Sequence, residues 1–364
     1  MTDLLYSEVE EDLRASARDL FADRADSAKV LARVETDEPY DLKLWRTLAA
    51  ELGFAGLHVP EELGGQGASA RELAVVLEEL GRSVAPVPFL GSAVLATSTL
   101  LACDTDESTV SGLLRRLATG ESIGALAVPL SVWPGSDFPS HVRISDGVLS
   151  GRIPAVADAS VADVLVVPAT GPDGPGLYAV EDFTAREAVS LDLTRRIADV
   201  TLDGAEGQLL AGPELSPAAL ERGLTASAAL LASEQLGVAQ WCLDETVAYV
   251  KQRFQFGRAV GSFQALKHRL ADLYLELVTA RATARNAADA VASGEHVAEA
   301  AAVAQASAVA VHAAEEAIQL HGGIGMTWEH PAHLYLKRAK ADELALGTPG
   351  RARAALAKLA DLPA

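Results

Sequence analysis

From Ser7 to about Ala118 the apolar residues recur at spacings of three and four: Leu13, Ala17, Leu20 and Phe21, then Leu44, Leu48 and Leu52, then Leu73, Val76, Leu77 and Leu80. That spacing lines one face of a helix and predicts a helical N-terminal domain over residues 1–120. Turn signals break the pattern at Val59-Pro60, at Gly64-Gly65-Gln66-Gly67 and at Pro86-Val87-Pro88. Between about Ile123 and Leu210 it shortens to β-favouring runs at 125–130, 142–144, 164–168, 177–180 and 200–202, parted by glycine, proline and aspartate. Asp146-Gly147 and Asp203-Gly204 look like turn dipeptides, so a small middle β-domain is expected over residues 121–212. After Pro213 and Pro217 long helical segments return, at 218–253, 262–293, 295–321 and 332–346, with a last one to about Leu359. Their short breaks suit antiparallel neighbours in a C-terminal bundle over residues 213–364. The expected class is α+β, mostly α.

Composition narrows the picture. Hydrophobic residues make up 49% of 364, enough for a substantial core, and aromatics only 5%, which with abundant alanine favours close-packed helices over an all-β chain. Close helix packing also accounts for the alanine-rich stretch 298–317. A formal net charge of -20 repels phosphate backbones and anionic lipid, so neither nucleic acid nor a membrane surface is an expected partner. Cys103 and Cys242 stand alone, so no disulfide framework or cysteine metal site is available, and no metal is assigned. A reducing cytoplasm fits. The first fifteen residues carry Asp3, Glu8, Glu10, Glu11 and Asp12, the reverse of a secretory leader, and no apolar run reaches the ~20 residues of a spanning helix.

Two stretches carry candidate chemistry. One is Arg253-Phe254-Gln255-Phe256-Gly257-Arg258, running on to Ser262-Phe263-Gln264-Ala265; the other is Gln319-Leu320-His321-Gly322-Gly323-Ile324-Gly325. Each sets a cation, an amide or a glycine at the end of a long helical pattern. The Arg253 guanidinium can take a pyrophosphate in bidentate fashion. Phe256 can pack on adenine or ribose, Gln255 and Gln264 can bond polar edges, and Gly322-Gly323 lets backbone N–H groups come close to a ligand. Singly, such an arginine serves a helix dipole and such glycines stop a helix. Together they suit a large phosphorylated cofactor held between subunits.

With Leu57-His58-Val59-Pro60-Glu61-Glu62-Leu63-Gly64-Gly65 and Val76-Leu77-Glu78-Glu79-Leu80-Gly81-Arg82, these stretches resemble the signatures of the acyl-CoA dehydrogenase family, in the family's order and over nearly the whole chain. The resemblance implies FAD lodged across a subunit boundary, with Arg253, Gln255, Phe256, Gln264, Gln319, Gly322 and Gly323 against it. It also implies α,β-dehydrogenation of an acyl-CoA thioester and an electron-transfer flavoprotein as acceptor.

The chain departs from that pattern at the base. Such enzymes need a carboxylate facing the flavin, poised near the working pH by an apolar pocket. In the commonest arrangement a glutamate precedes a Gly-Thr pair, where Leu346 precedes Gly347-Thr348; in a second it lies about three turns before Gly237, where Ser227 stands. Glu234, in the apolar run 228–240, is the nearest substitute. Unpaired there, it would have a raised pKa and could be a displaced base; paired with Arg or His from a neighbouring helix, it is a buried structural acid. Asp342 and Glu343 are weaker candidates beside Lys337, Arg338 and Lys340. The flavin-covering motifs are also eroded. Trp133-Pro134-Gly135-Ser136-Asp137 keeps only the end of one loop, and Ala155-Val156-Ala157-Asp158-Ala159 stands where a tryptophan strand belongs. Intact interface motifs with eroded ring-covering ones fit a subunit of a mixed assembly, a heterotetramer with a related subunit, with a homotetramer left open. The chain is similar in this to bacterial two-gene enzymes of sterol side-chain degradation. Two readings follow: a dehydrogenase with Glu234 as base, or a non-catalytic subunit that completes the partner's FAD site. A flavin oxidase or monooxygenase on the same scaffold has no feature in its favour.

Overall fold

In the computed structural model, which describes residues 4–293 and 299–361, side-chain caps set the starts of the first four helices. Ser7 and Glu10 form a reciprocal capping box at α1 (Glu8–Arg24), Asp26 caps α2 (Ser27–Val34), and Asp41 caps α3 (Leu42–Arg46). Ser69 and Glu72 form a second box at α4 (Ala70–Ser83). A wide helical stretch over Leu90–Ala96 runs into α5 (Thr97–Leu101), and α6 (Ser108–Ala118) closes the helical N-terminal part.

The middle sheet holds β1 (Gly124–Leu126), β2 (Val142–Ser145), β3 (Val148–Ala157), β4 (Val164–Gly171), β5 (Gly174–Val180), β6 (Thr184–Glu187), β7 (Ile197–Glu206) and β8 (Gln208–Ala211). Its order is β6-β7-β3-β2-β4-β5-β8, with β1 parallel to β4. β4 is buried on both faces, as its unbroken apolar run requires. Val164 and Val166 pack into the helical core, while Leu165, Val167 and Ala169 face the sheet's own core. Asp146 and Gly147 both have positive φ, 52° and 83°, and turn β2 into β3. Asp203-Gly204, expected as a turn, lies inside β7 instead. Asp203 pairs with Ser150 and Ala205 with Leu149, so Gly204, at φ 71°, is the extra residue of a bulge.

α7 (Ser216–Gln252) is a 37-residue helix, about 55 Å long, around which the bundle assembles. Pro217 sits in its first turn, where a missing N–H costs nothing, so the helix opens two residues before the expected 218. A two-residue hairpin, β9 (Phe254–Gln255) and β10 (Arg258–Ala259), leads to α8 (Gln264–Ser293) and α9 (Glu299–His321). The helix start expected at 295 falls outside the described residues. α10 (Ala332–Leu344) and α11 (Pro349–Leu359) finish the bundle. Among the described residues no helix is long and apolar enough to cross a membrane.

α4 crosses α7 at glycine on both sides. A Cβ on Gly237 would lie 1.9 Å from Glu78 O, and one on Gly81 would lie 2.0 Å from Glu234 O. Both clashes are with backbone, so Gly237→Ala must push the helices apart and should lower stability by about 1–3 kcal/mol. Gly112→Ala, in an exposed turn of α6 with nothing near its Cβ, should raise stability by roughly 0.5–1 kcal/mol. Urea midpoints of the two variants check the contrast.

Candidate functional site

Glu234 lies at the centre of α7, 2% exposed, and it is not alone. Arg195, from the loop between β6 and β7, places Nη2 at 2.6 Å from Glu234 Oε1, and Arg338 of α10 places Nη1 at 2.6 Å from the same oxygen. Arg195 Nη1 also reaches Asp342 Oδ1 at 2.6 Å; Arg338 donates through Nε to Asp192 Oδ2 and through Nη2 to Thr194 Oγ1. All five charged groups are buried. The raised pKa expected of an unpaired Glu234 is therefore not what the fold produces. Burial works to raise it, but Arg195 and Arg338 prevail and hold the carboxyl below its usual range. Glu234 is the paired acid of the two readings.

Three carboxylates share two guanidiniums in this cluster, so it favours retaining one proton. Burial, joined by repulsion from Glu234 and Asp192, pushes Asp342 up to about 8 against the pull of the arginines. Its Oδ2 has no hydrogen-bond partner. Glu343, the other carboxylate of that segment, pairs loosely with Lys340 at 3.6 Å near the surface.

Neither position where a base was sought holds a carboxylate. Ser227 is fully buried, its hydroxyl donating to Gly223 O at 2.7 Å. Leu346 is 2% exposed with φ 51°, and its N–H donates to Leu130 O at 2.9 Å, bonding the bundle to the loop after β1. A cavity of about 680 Å³ opens beside it, lined by Trp133, Gly135, Glu221, Thr225, Leu346 and Arg351 among others. Sequence reasoning missed Glu221, the one carboxylate in that lining, which accepts from Gly135 N–H at 2.9 Å. Its signal was the spacing: Glu221, Thr225 and Ala228 share one face of α7. The Arg351 guanidinium lies over the Trp133 ring at 3.5 Å. Arg222 and Thr225 also border a second cavity of about 470 Å³ that holds His58, which burial pushes down to about 4. Ala155–Ala159, the other eroded motif, is tied down elsewhere: Ala155 N–H donates to Asp199, and Asp158 accepts from Tyr40 and from Gly91 N–H.

The remaining predicted residues gather at the far end of α7, about 28 Å along the helix from Glu234. Arg253 caps α7 and is exposed, with no side-chain partner among the described residues. Gln255 and Phe256 form the exposed hairpin; Phe256 has φ 52° and is 91% exposed. Gln264, also exposed, opens α8. Gln319 and Gly322 line a shallow cavity of about 230 Å³, and a Cβ on either Gly322 or Gly323 would meet nothing within 4 Å. Tyr249 of α7 stacks on His321 of α9 with centroids 4.4 Å apart, and Arg269–Glu316 joins α8 to α9 at 2.5 Å. The two stretches are thus ends of one bundle face, and Glu234 belongs to another place.

The proton held by Asp342 predicts a pH dependence. Its folded pKa lies above its unfolded one, so the native chain binds more protons between the two values and stability must fall as pH rises from about 4 to about 8. The opposite contribution of Glu234 is lost only on the acid side of its usual range. Urea midpoints measured from about pH 6 to pH 9 should decline for the wild type, and Asp342→Asn should flatten that slope.

Comparison with known proteins agrees with this architecture. Residues 7–121 match the acyl-CoA dehydrogenase N-terminal domain and residues 217–360 the acyl-CoA dehydrogenase C-terminal domain. Acyl-CoA dehydrogenase IpdE2 of Mycolicibacterium smegmatis is 38% identical over 94% of this chain and 96% of its own. Its namesake in Mycobacterium tuberculosis is 38% identical over 93% and 92%. Among solved structures, a variant of the Tcur3481-Tcur3483 steroid ACAD superposes with a TM-score of 0.85 at 31% identity, covering 97% of this chain and 98% of that one. The ChsE4-ChsE5 complex from Mycobacterium tuberculosis gives 0.86 at 27% identity over the full length of both. Likeness along almost the entire sequence, on the same helix–sheet–helix frame, makes this chain a member of the acyl-CoA dehydrogenase family, FAD-dependent oxidoreductases that desaturate acyl-CoA thioesters.

Proposed function

We propose that this chain is one subunit of a mixed acyl-CoA dehydrogenase assembly, completing a flavin site on a related partner subunit and leaving the catalytic base to that partner. The observation that carries this reading is the pairing of Glu234 with two buried arginines while Leu346 and Ser227 occupy the places where a base was sought. A carboxylate so held below its usual range is a poor acceptor for a carbon-bound proton.

The dinucleotide end tells the other half. Arg253 is a free exposed cation, Gly322 and Gly323 leave backbone open where a side chain would stand, and Gln319 borders the same hollow. These residues fit the pyrophosphate and adenosine end of FAD; Gln255, Phe256 and Gln264 extend that surface towards a neighbour. When bound, FAD accepts the hydride lost from the β-carbon of the thioester. On this reading Arg253 binds phosphate oxygens, Gln319 orients the dinucleotide, and Phe256 keeps water from its adenosine. Phe254, Phe256, Met326 and Trp328, each more than 60% exposed, supply apolar area for the subunit contact. The Tcur3481-Tcur3483 and ChsE4-ChsE5 structures are named for paired chains, which supports a heterotetramer and a steroid-derived acyl-CoA as substrate of the assembly. Electron-transfer flavoprotein is the proposed acceptor and the cytoplasm the proposed location.

One observation favours a catalytic chain instead: Glu221 faces the cavity beside Leu346. The two readings separate in the co-expressed assembly. Glu221→Gln should leave turnover unchanged and the chain purified alone should be colourless. Loss of turnover in Glu221→Gln would sink the non-catalytic reading. Arg253→Ala and Gln319→Ala should lower the flavin content of the assembly, with FAD bound about tenfold or more weakly for Arg253→Ala because a charged hydrogen bond is lost. Absorbance of the bound flavin per pair of unlike chains measures both.

A further inference from the structure

Beneath Gly322-Gly323, three side chains that play no part in the proposed flavin contact converge. Glu245 near the end of α7, His321 at the end of α9 and His330 before α10 each offer an atom within 4.8 Å of the other two. His321 is 2% exposed. Its Nδ1 lies 2.6 Å from Ala317 O, so that nitrogen carries the hydrogen and Nε2 presents its lone pair. This Nε2 is buried and has no hydrogen-bond partner. Such an orphan is costly unless something accepts the lone pair. Tyr249, stacked at 4.4 Å, fixes the plane of the ring.

His330 faces it at a centroid distance of 4.4 Å. Its Nδ1 accepts only a long 3.2 Å bond from Ala332 N–H, which an ion at that nitrogen would displace. Glu245 is half-buried and makes no hydrogen bond or ion pair among the described residues. Two imidazoles and a free carboxylate therefore meet, one imidazole braced from behind by a backbone carbonyl. That brace is the usual support of a metal-bound histidine, fixing tautomer and orientation.

We propose that Glu245, His321 and His330 form a binding site for a divalent transition-metal ion of the zinc class, with the fourth position left to water. Two imidazoles and a carboxylate are a ligand set for zinc, at roughly 2.0–2.2 Å each, a spacing the three atoms reach by small side-chain rotations. The ion takes up the orphan lone pair of His321 and cross-links α7, α9 and the segment leading to α10. Its role is structural: it fixes the floor under Gly322-Gly323. The site stands or falls independently of which subunit carries out the chemistry.

The test uses the full chain with any affinity tag removed, stripped with chelator and then titrated with Zn²⁺. Metal retained through gel filtration is measured by mass spectrometry, and Co²⁺ in place of Zn²⁺ reports the geometry through its visible bands. One zinc per chain is expected, with visible bands of a four-coordinate cobalt site. Binding should weaken tenfold or more in His321→Ala and in the isosteric Glu245→Gln, while His312→Ala, altering a surface histidine paired with Glu276, should match the wild type. Circular dichroism shows which variants are folded, and Glu245→Gln carries the test if His321→Ala is not. Either a wild-type chain that holds no zinc, or equal retention by Glu245→Gln, overturns the site.

Discussion

The interaction on which the rest of the structure depends is the buried cluster of Asp192, Arg195, Glu234, Arg338 and Asp342. It draws a loop of the sheet, the central helix of the bundle and α10 to one point. Charges taken out of water are tolerated only when each finds partners in good geometry, so the cluster fixes the seating of the sheet on the bundle closely. Tyr40 and Asp158 extend the same seam towards the N-terminal helices.

This seam also fixes what the acid of the central helix does. The central helix offers one acid in its apolar stretch, and that acid is consumed in holding the frame together. Free cations and bare backbone lie instead at the other end of the helix, on the surface. Buried, paired charge and exposed, unpaired charge are separated along one element.

Much of the fold was legible in the sequence because periodicity reports burial directly. The three-unit repeats of α1 and α4, the long run of α7 and the Asp146-Gly147 turn all follow from local pattern. Asp203-Gly204 misled because a bulge and a turn ask the same φ of glycine, and only the partner strand tells them apart. In the candidate site, Arg338 was close to view as a charge on a helix near the bundle. Arg195 was not, for it sits in an irregular loop where no period marks which residues turn inward. Glu221 was hidden for the opposite reason: it is an ordinary acid on a helix end until the cavity beside Leu346 gives it a direction.

Leu346 also bears on how such a chain can change. Its amide hydrogen is already engaged by the oxygen of Leu130, and its backbone is held in a left-handed turn that a branched side chain tolerates poorly. A glutamate there would keep the same backbone bond and the same left-handed turn, and its carboxyl would border the cavity that Leu346 lines. What Leu346 withholds from that cavity is therefore a charge, not a place in the backbone.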